Sequence, residues 1–133
     1  MSRPVRVLFI CLHGAAKSVI AREHFRRLAR AEGLEVEAMS AGVEPDDLIP
    51  PHVVLGLAAD GIDVPERIPH GLADADLAHA DLVVSFACDV QTGPGSPTLV
   101  RWDDVPAVSD GYVPARDAII ARLRKLLADE LRA

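Results

Sequence analysis

Four residues that could form a reactive site lie close together near the start of the chain: Cys11, Gly14, Lys17 and Ser18. A thiolate is a strong nucleophile, lysine is a fixed cation, and a serine hydroxyl can donate a hydrogen bond to the sulfur. Glycine adopts the positive φ that a tightly wrapped loop needs, and successive N–H groups in such a loop bind anions. Cys11 is therefore predicted to be the reactive thiol of an oxyanion-binding loop that runs to Ser18.

Each of these residues alone also fits a plainer role. Free cysteine is often a buried filler, and a lysine often begins a helix in contact with solvent. Their combination in one turn between a strand and a helix favours the anion site. A nucleotide-binding P-loop is excluded, because it ends in Gly-Lys-Ser/Thr, whereas Ala16 precedes Lys17 here.

The segments around this loop predict alternating strands and helices. Residues 5–11 form a nearly continuous apolar run, typical of a strand buried on both faces of a parallel sheet, and helical periodicity follows from Lys17 until Gly33. Further strands are predicted at 36–40, 81–87 and 98–102, further helices at 50–58 (closed by Gly61), 72–79 and 114–131, and loops at 65–71, 91–97 and 103–112.

This alternation predicts a doubly wound parallel α/β sheet. Ligands bind such sheets beyond the carboxyl ends of the strands, which is where Cys11 lies. The helix that follows presents free N–H groups and a positive dipole end, both of which stabilise a thiolate and a nearby oxyanion.

The bulk properties of the chain limit its partners. Its 133 residues, with no linker or internal repeat, predict one domain over residues 1–133. The net charge of -6 argues against nucleic acid, and no apolar run reaches membrane-spanning length or forms a secretory signal. We therefore expect a cytoplasmic protein with no membrane partner. No metal site is expected, because four histidines lack ligand spacing and are predicted to face solvent: His24, His52, His70 and His79.

The run VLFICLHGAAKSVIA at residues 7–21, followed by the strand end Ser40-Ala41-Gly42, resembles the low-molecular-weight protein tyrosine phosphatase superfamily. That superfamily includes the thioredoxin-coupled arsenate reductases. The likeness covers nearly the whole chain, including the late loop at residues 102–106 (Trp-Asp-Asp-Val-Pro). It implies a four-stranded parallel sheet in the order 2-1-3-4, with helices on both faces.

In the superfamily, a loop of the form Cys-x5-Arg-Ser/Thr holds a tetrahedral oxyanion that the cysteine attacks, and an aspartate from a late loop acts as general acid. The resemblance implies that Cys11 is the nucleophile, Ser18 its hydroxyl partner and Asp104 the acid, with Asp103 as the neighbouring candidate. It also implies that loop amides hold the oxyanion (arsenate, phosphate or sulfate), namely those of Leu12, His13, Gly14, Ala15, Ala16, Lys17 and Ser18.

Three features depart from the superfamily pattern. Lys17 replaces an arginine. The planar guanidinium of arginine binds two oxygens of an oxyanion at once, whereas the lysine ammonium is a point charge, so the exchange is expected to weaken transition-state stabilisation by roughly 3 kcal/mol. His13 replaces a glycine and could crowd the loop or add a titrating group. The late loop reads Asp-Val-Pro rather than Asp-Pro and lacks paired aromatic residues. Efficient hydrolysis of phosphotyrosine is therefore not expected.

A second cysteine, Cys88, is predicted at the end of the third strand, on the same sheet edge as Cys11. In the arsenate reductases a cysteine in this region attacks the thiol–arsenic adduct, releases arsenite and forms a disulfide. Cys88 is accordingly predicted to resolve the adduct, with the Gly93-Pro94-Gly95 loop supplying movement. The chain has no third cysteine, so an external thiol reductant, thioredoxin or a small-molecule thiol, would regenerate the enzyme. The plainer alternative is that Cys88 fills space at a strand end.

Three functions are compatible with these features. The first is an arsenate-reductase-like enzyme that uses Cys11, Asp104 and Cys88, with no bound cofactor. The second is a phosphatase for a phosphate monoester, which needs Cys11 and Asp104 but not Cys88. The third is a catalytically weak oxyanion-binding module with a regulatory role, which the exchange to Lys17 favours.

Overall fold

The computed structural model describes residues 4–64, 68–90 and 97–131 and contains one parallel sheet. Within those residues the four strands lie in the order β2-β1-β3-β4, which confirms the predicted order. The strands are β1 (Val5–Cys11), β2 (Val36–Gly42), β3 (Leu82–Ser85) and β4 (Thr98–Arg101). The helices are α1 (Lys17–Ala31), α2 (Pro51–Ala59), α3 (Asp74–His79) and α4 (Tyr112–Leu126), with a 3₁₀ turn at Val108–Asp110 and a π turn at Leu127–Leu131.

Most elements begin and end within two residues of their predicted bounds, and two of the differences have a clear local cause. The third strand ends at Ser85 rather than at residue 87, because Ala87 has a φ of 59°, outside the β region. The last helix begins at Tyr112, ahead of Pro114, which fits there because amides in a first turn have no helical partner. Parts of two predicted loops, residues 65–67 and 91–96, lie outside the described residues, and with them the Gly93-Pro94-Gly95 loop.

Strand β1 is one of the two central strands of the sheet, and the predicted anion-binding loop follows its carboxyl end. It pairs in parallel with β2, from Val5 opposite Val36 to Cys11 opposite Gly42, and with β3 on its other side. Residues 7–10 have no exposure, and apolar clusters cover both faces of the sheet. These contacts explain the continuous apolar run. They also bring the loop after β1 against the segments that follow β2 and β3.

One prediction from the histidines is wrong. His24 does not face solvent: it is buried in α1, with its Nε2 atom 3.2 Å from Asp60 Oδ2. Tyr112 and Arg116 of α4 also donate hydrogen bonds to the Asp60 carboxylate, at 2.7 and 2.6 Å. Burial lowers the pKa of His24 and so favours the neutral imidazole. Although burial acts to raise the pKa of Asp60, the donors Tyr112 and Arg116 lower it below its usual value.

Among the described residues, no helix combines the length and the apolar character that crossing a membrane requires.

Candidate active site

Cys11 ends β1, and Ser18 lies in the first turn of α1, so the loop between them brings their side chains together. Cys11 Sγ lies 3.0 Å from Ser18 Oγ. Cys11 is 7% exposed and Ser18 is fully buried. A hydroxyl at this distance can donate its hydrogen bond to a thiolate, the nucleophilic form of cysteine. The structure thus brings together the predicted nucleophile and its predicted hydroxyl partner.

The backbone of the loop is oriented as an anion site requires. The carbonyl oxygens of residues 11–13 accept hydrogen bonds of 2.7 to 3.3 Å from the amides of Val43, Glu44 and Asp46. Because the C=O and N–H groups of a trans peptide point in opposite directions, the amides of residues 12–14 point away from that segment. Ala16 provides no side-chain cap for α1, which leaves the N–H groups of its first turn free for a ligand.

Two glycines allow the loop to pass close to the end of β2. Gly14 has a φ of +62°, and a Cβ atom added there would lie 2.6 Å from the backbone nitrogen of Gly42. A Cβ atom added at Gly42 would in turn lie 2.5 Å from the nitrogen of Gly14. The predicted positive φ at Gly14 is therefore confirmed. The contact also gives a physical reason for a glycine at the end of the Ser40-Ala41-Gly42 strand.

A cavity of about 300 Å³ opens over the loop, and Cys11 is part of its wall. This volume is near the lower end of the range for ligand pockets, ~300–1,000 Å³, and suits a small ligand. Leu12, His13, Ala15, Ala16 and Lys17 also line the cavity, while the remaining wall comes from Asp46, Pro50, His52, Phe86, Ala107, Val108 and Ser109.

Lys17 lines the cavity and also contacts the late loop. Its Nζ atom donates a hydrogen bond of 2.9 Å to the carbonyl oxygen of Val105. An ammonium group has three donors, so this contact leaves capacity for an anion. Lys17 therefore joins the two loops and places a positive charge in the wall that contains Cys11.

The wall of the cavity also contains polar residues that sequence reasoning missed. Asp46 follows β2, and its Oδ1 atom lies 3.2 Å from His13 Nδ1. The same His13 nitrogen lies 3.2 Å from the carbonyl oxygen of Glu44. His52, in the first turn of α2, also lines the cavity. The pairing of β1 with β2 was a signal that the segment after Gly42 would lie beside the loop, but it did not indicate which side chain would turn inward.

Cys88 lies in a turn three positions beyond the end of β3, rather than at the strand end. It is 8% exposed, and its Sγ atom lies 3.4 Å from the carbonyl oxygen of Phe86. The Ser85 hydroxyl donates to the Cys88 carbonyl at 2.6 Å and accepts from the Cys88 amide at 3.2 Å. Burial raises the pKa of the Cys88 thiol, and negative charge on Cys11 raises it further. The two cysteines are thus in electrostatic range, although Cys88 does not line the cavity in the described part of the chain.

Comparison with known proteins identifies the family of the chain. Residues 6–92, well over half of the chain, match the family described as low molecular weight phosphotyrosine protein phosphatase. The chain belongs to this family. The matched region contains all of β1 except Val5, the whole loop from Cys11 to Ser18, and Cys88.

Similar proteins include arsenate reductases. A thioredoxin-dependent arsenate reductase from Corynebacterium glutamicum is 30% identical, with a TM-score of 0.80 over 96% of this chain and 63% of its own. An arsenate reductase from Archaeoglobus fulgidus is 26% identical, with a TM-score of 0.71 over 92% and 99% of the two chains. A curated Halobacterium salinarum protein named "Putative arsenate reductase" is 28% identical over 60% of this chain. The chain spans only 58% of that relative's length.

The acid expected from resemblance to the phosphatase family lies apart from the cavity. The Asp104 carboxylate is ion-paired with Arg122 of α4, and its side chain is 79% exposed. The neighbouring candidate, Asp103, is ion-paired with Arg101 at 3.1 Å. Neither aspartate is among the described residues that line the cavity. The role of Asp104 as proton donor stays a prediction, and it requires that the carboxylate leave Arg122.

Proposed function

We propose that this chain is an arsenate-reductase-like enzyme in which Cys11 is the nucleophile. The observation that carries the proposal is the 3.0 Å contact between Cys11 Sγ and Ser18 Oγ beside a small cavity. A buried sulfur with a hydroxyl donor, at the start of a helix without a side-chain cap, suits attack on an anion. The loop amides and Lys17 would hold the oxygens of arsenate while its arsenic atom faces the sulfur.

The redox step would use both cysteines. The Cys11 thiolate attacks arsenic(V) and displaces one oxygen, which leaves as water after protonation. The Cys88 thiolate then attacks Cys11 Sγ, and the electron pair of the sulfur–arsenic bond passes to arsenic. Arsenic is reduced by two electrons and leaves as arsenite, while the two thiols are oxidised to a disulfide. An external dithiol such as thioredoxin, or two small-molecule thiols, would then reduce the disulfide.

The turn that carries Cys88 supports a role in this step. Cys11 ends β1 and Cys88 follows the neighbouring strand β3, and negative charge on Cys11 acts on the Cys88 thiol. Ala87, immediately before Cys88, has a φ of 59°, a conformation that costs a residue other than glycine about 1–2 kcal/mol. Relaxation of this turn would offset part of the cost of moving Cys88 toward Cys11.

The test is an intact-mass measurement on fully reduced protein incubated with arsenate, followed by alkylation of free thiols. The expected result is loss of both alkylation sites, release of arsenite and a Cys11–Cys88 linkage after digestion. Cys88→Ser is the matched control, because it should stop at one covalent adduct on Cys11. Two alkylatable cysteines and no arsenite after incubation would reject the reductase proposal.

A phosphatase is the second candidate, because the family is that of the phosphotyrosine protein phosphatases and Cys88 Sγ is engaged by the Phe86 carbonyl. In that case wild-type protein would hydrolyse an aryl phosphate through a phosphocysteine at Cys11, with no change in thiol content. A weak oxyanion-binding module is the third candidate, favoured by the contact of Lys17 with Val105. It would bind phosphate measurably yet turn over neither substrate.

A further inference from the structure

The cavity wall includes two segments that lie far apart in the sequence. Pro50 and His52 belong to the start of α2, whereas residues 107–109 belong to the loop and 3₁₀ turn that precede α4. Loops are held less firmly than the elements that they connect. The distance between these two parts of the wall therefore depends on side chains that join them.

Tyr112 is a side chain that joins them. It is the first residue of α4, directly after the 3₁₀ turn and Gly111. Its ring packs on Gly56 of α2, where an added Cβ atom would lie 2.5 Å from Tyr112 Cδ1. Its hydroxyl donates a hydrogen bond of 2.7 Å to Asp60, the residue that caps the end of α2. Tyr112 thus contacts α2 at two positions about one helical turn apart.

The acceptor of this hydrogen bond is itself firmly held. The Asp60 side chain is only 12% exposed, and its carboxylate also accepts from Arg116 at 2.6 Å and lies 3.2 Å from His24 Nε2. Hydrogen bonds to an ionised carboxylate are stronger than those between neutral groups. Burial raises the pKa of Tyr112, and the contact with Asp60 raises it further, so the hydroxyl keeps its proton and remains a donor.

The late segment is attached to the rest of the protein on both sides of the residues that line the cavity. Ahead of them, the carbonyl oxygen of Val105 accepts the hydrogen bond from Lys17. After them, Tyr112 is bound to Asp60. Because residues 107–109 lie between the two attachments, their position depends on both.

We propose that Tyr112, with Asp60 as its acceptor, is a positioning residue that holds the 3₁₀ turn and the start of α2 against the non-reacting part of a bound substrate. Of the proposed function, the inference requires only that the Cys11 loop bind an oxyanion. An inorganic oxyanion then depends on the loop alone. An oxyanion that carries an apolar group depends also on the walls, which include Phe86 and Val108.

The test measures how well two anions protect Cys11 from iodoacetamide, with peptide mapping to identify the labelled cysteine. The probes are inorganic phosphate and phenylphosphonate, which carries an apolar ring and cannot be hydrolysed. The concentration that halves the labelling rate reports binding in the cavity, whichever reaction the protein catalyses. Tyr112→Phe removes only the hydroxyl, and Gly56→Ala forces the ring away from Asp60.

We expect each variant to weaken the binding of phenylphosphonate at least about fivefold, which is roughly the effect of losing one methylene-sized contact. The binding of phosphate should stay as it is in wild type. Because both substitutions break the same hydrogen bond, the double variant should bind phenylphosphonate no more weakly than Gly56→Ala. A general loss of stability would not produce this difference between the two anions.

Asp60→Asn should show the same preference, and Glu23→Gln is its matched control. Glu23 is also a buried carboxylate, and it accepts hydrogen bonds from Arg22 and Arg26 at 2.7 and 2.8 Å. It is not among the described residues that line the cavity. Glu23→Gln should therefore leave the binding of both anions unchanged.

The inference is overturned if Tyr112→Phe binds phenylphosphonate as wild type does, or if both anions weaken equally. It is also overturned by additive losses in the double variant, by the same pattern in Glu23→Gln, or if phosphate alone protects the wild-type protein. In each of these cases the proposed function stands. If the expected pattern appears but arsenate forms no disulfide, only the reductase proposal is rejected. If neither anion protects Cys11, the proposed function and the inference fail together.

Discussion

The segments that follow β1 and β3 start from neighbouring points of the sheet, since Ile10 lies opposite Ser85. Cys11 is the last residue of β1, immediately before the first segment, and Cys88 lies in the second segment, three positions after β3. The two are about equally buried, with 7% of Cys11 and 8% of Cys88 exposed. The backbone beside the two cysteines differs. A wrapped loop and the N-terminus of α1 come after Cys11, whereas Cys88 lies in a turn that contains Ala87 at a positive φ. The backbone around each sulfur, rather than burial, therefore separates their chemistry.

The hydrogen bonds of the two sulfurs show the same contrast. Cys11 contacts the hydroxyl of Ser18, which can donate to a thiolate. Cys88 contacts the carbonyl of Phe86, which can only accept, and so its partner is the protonated thiol. The partner of Cys11 therefore stabilises a thiolate, whereas the partner of Cys88 stabilises a protonated thiol.

The largest expected effect is the difference between the two cysteine variants. Cys11→Ser should lower the rates of ester hydrolysis and of arsenate-dependent thiol oxidation by more than about a thousandfold, because the nucleophile is lost. Cys88→Ser should stop the arsenate cycle at the Cys11 adduct, which intact mass detects. Steady-state assays of both variants on both substrates check this. If Cys11→Ser kept its activity, Cys11 would not be the nucleophile, and the proposed difference between the two cysteines would be contradicted.

A second prediction concerns the close contact beneath the loop. Gly14→Ala should lower the free energy of unfolding by about 3 kcal/mol, because a left-handed conformation and overpacking against Gly42 both cost energy. Urea denaturation measures the loss. Gly33→Ala is the matched control: Gly33 has a φ of +71°, but a Cβ atom there meets nothing within 4 Å. It should cost only about 1 kcal/mol. Equal losses would show that the contact with Gly42 is unimportant.

The local features of this molecule could be read from its sequence. The apolar run at residues 5–11 predicted β1, and the turn at Gly14 followed by helical periodicity predicted the loop and the start of α1. The proximity of Cys11 and Ser18 was predictable because only six residues of a tight turn lie between them. Resemblance to the family supplied the strand order, which local patterns do not contain.

The walls of the cavity could not be predicted in this way. Asp46 lies in a polar segment that reads as an ordinary solvent-exposed loop, and only the register of Cys11 with Gly42 brings it to His13. The orientation of the Asp104 carboxylate depends on Arg122, a residue of α4 distant in sequence. Side-chain direction in loops depends on such long-range partners, and sequence periodicity carries no information about them.

A third prediction compares the two serines beside the cysteines. Ser18→Ala should lower the rate of Cys11 alkylation and of turnover about tenfold, because a hydrogen bond to a charged sulfur contributes ~1.5–3 kcal/mol. Ser85→Ala should leave Cys11 alkylation unchanged. It should instead lower the free energy of unfolding by about 1–2 kcal/mol, because the buried amide and carbonyl of Cys88 lose their shared partner. The same loss of Cys11 reactivity in both variants would contradict these separate roles.

The smallest expected effect is a shift in the titration of Cys88. Burial raises the pKa of this thiol, negative charge on Cys11 raises it further, and Arg101 lowers it. Its thiolate fraction, and with it the rate of alkylation, should therefore rise with pH above the range usual for cysteine. Cys11→Ser removes the neighbouring negative charge, so the rise should move to lower pH. Arg101→Gln removes a positive charge, so the rise in the Cys88 alkylation rate should move to higher pH. Each of the two substitutions should change the alkylation rate at a fixed pH by less than about tenfold. Iodoacetamide labelling with peptide mapping measures both profiles. Shifts in the same direction would mean that charge is not what separates the two thiols, and the contrast would then rest on backbone conformation alone.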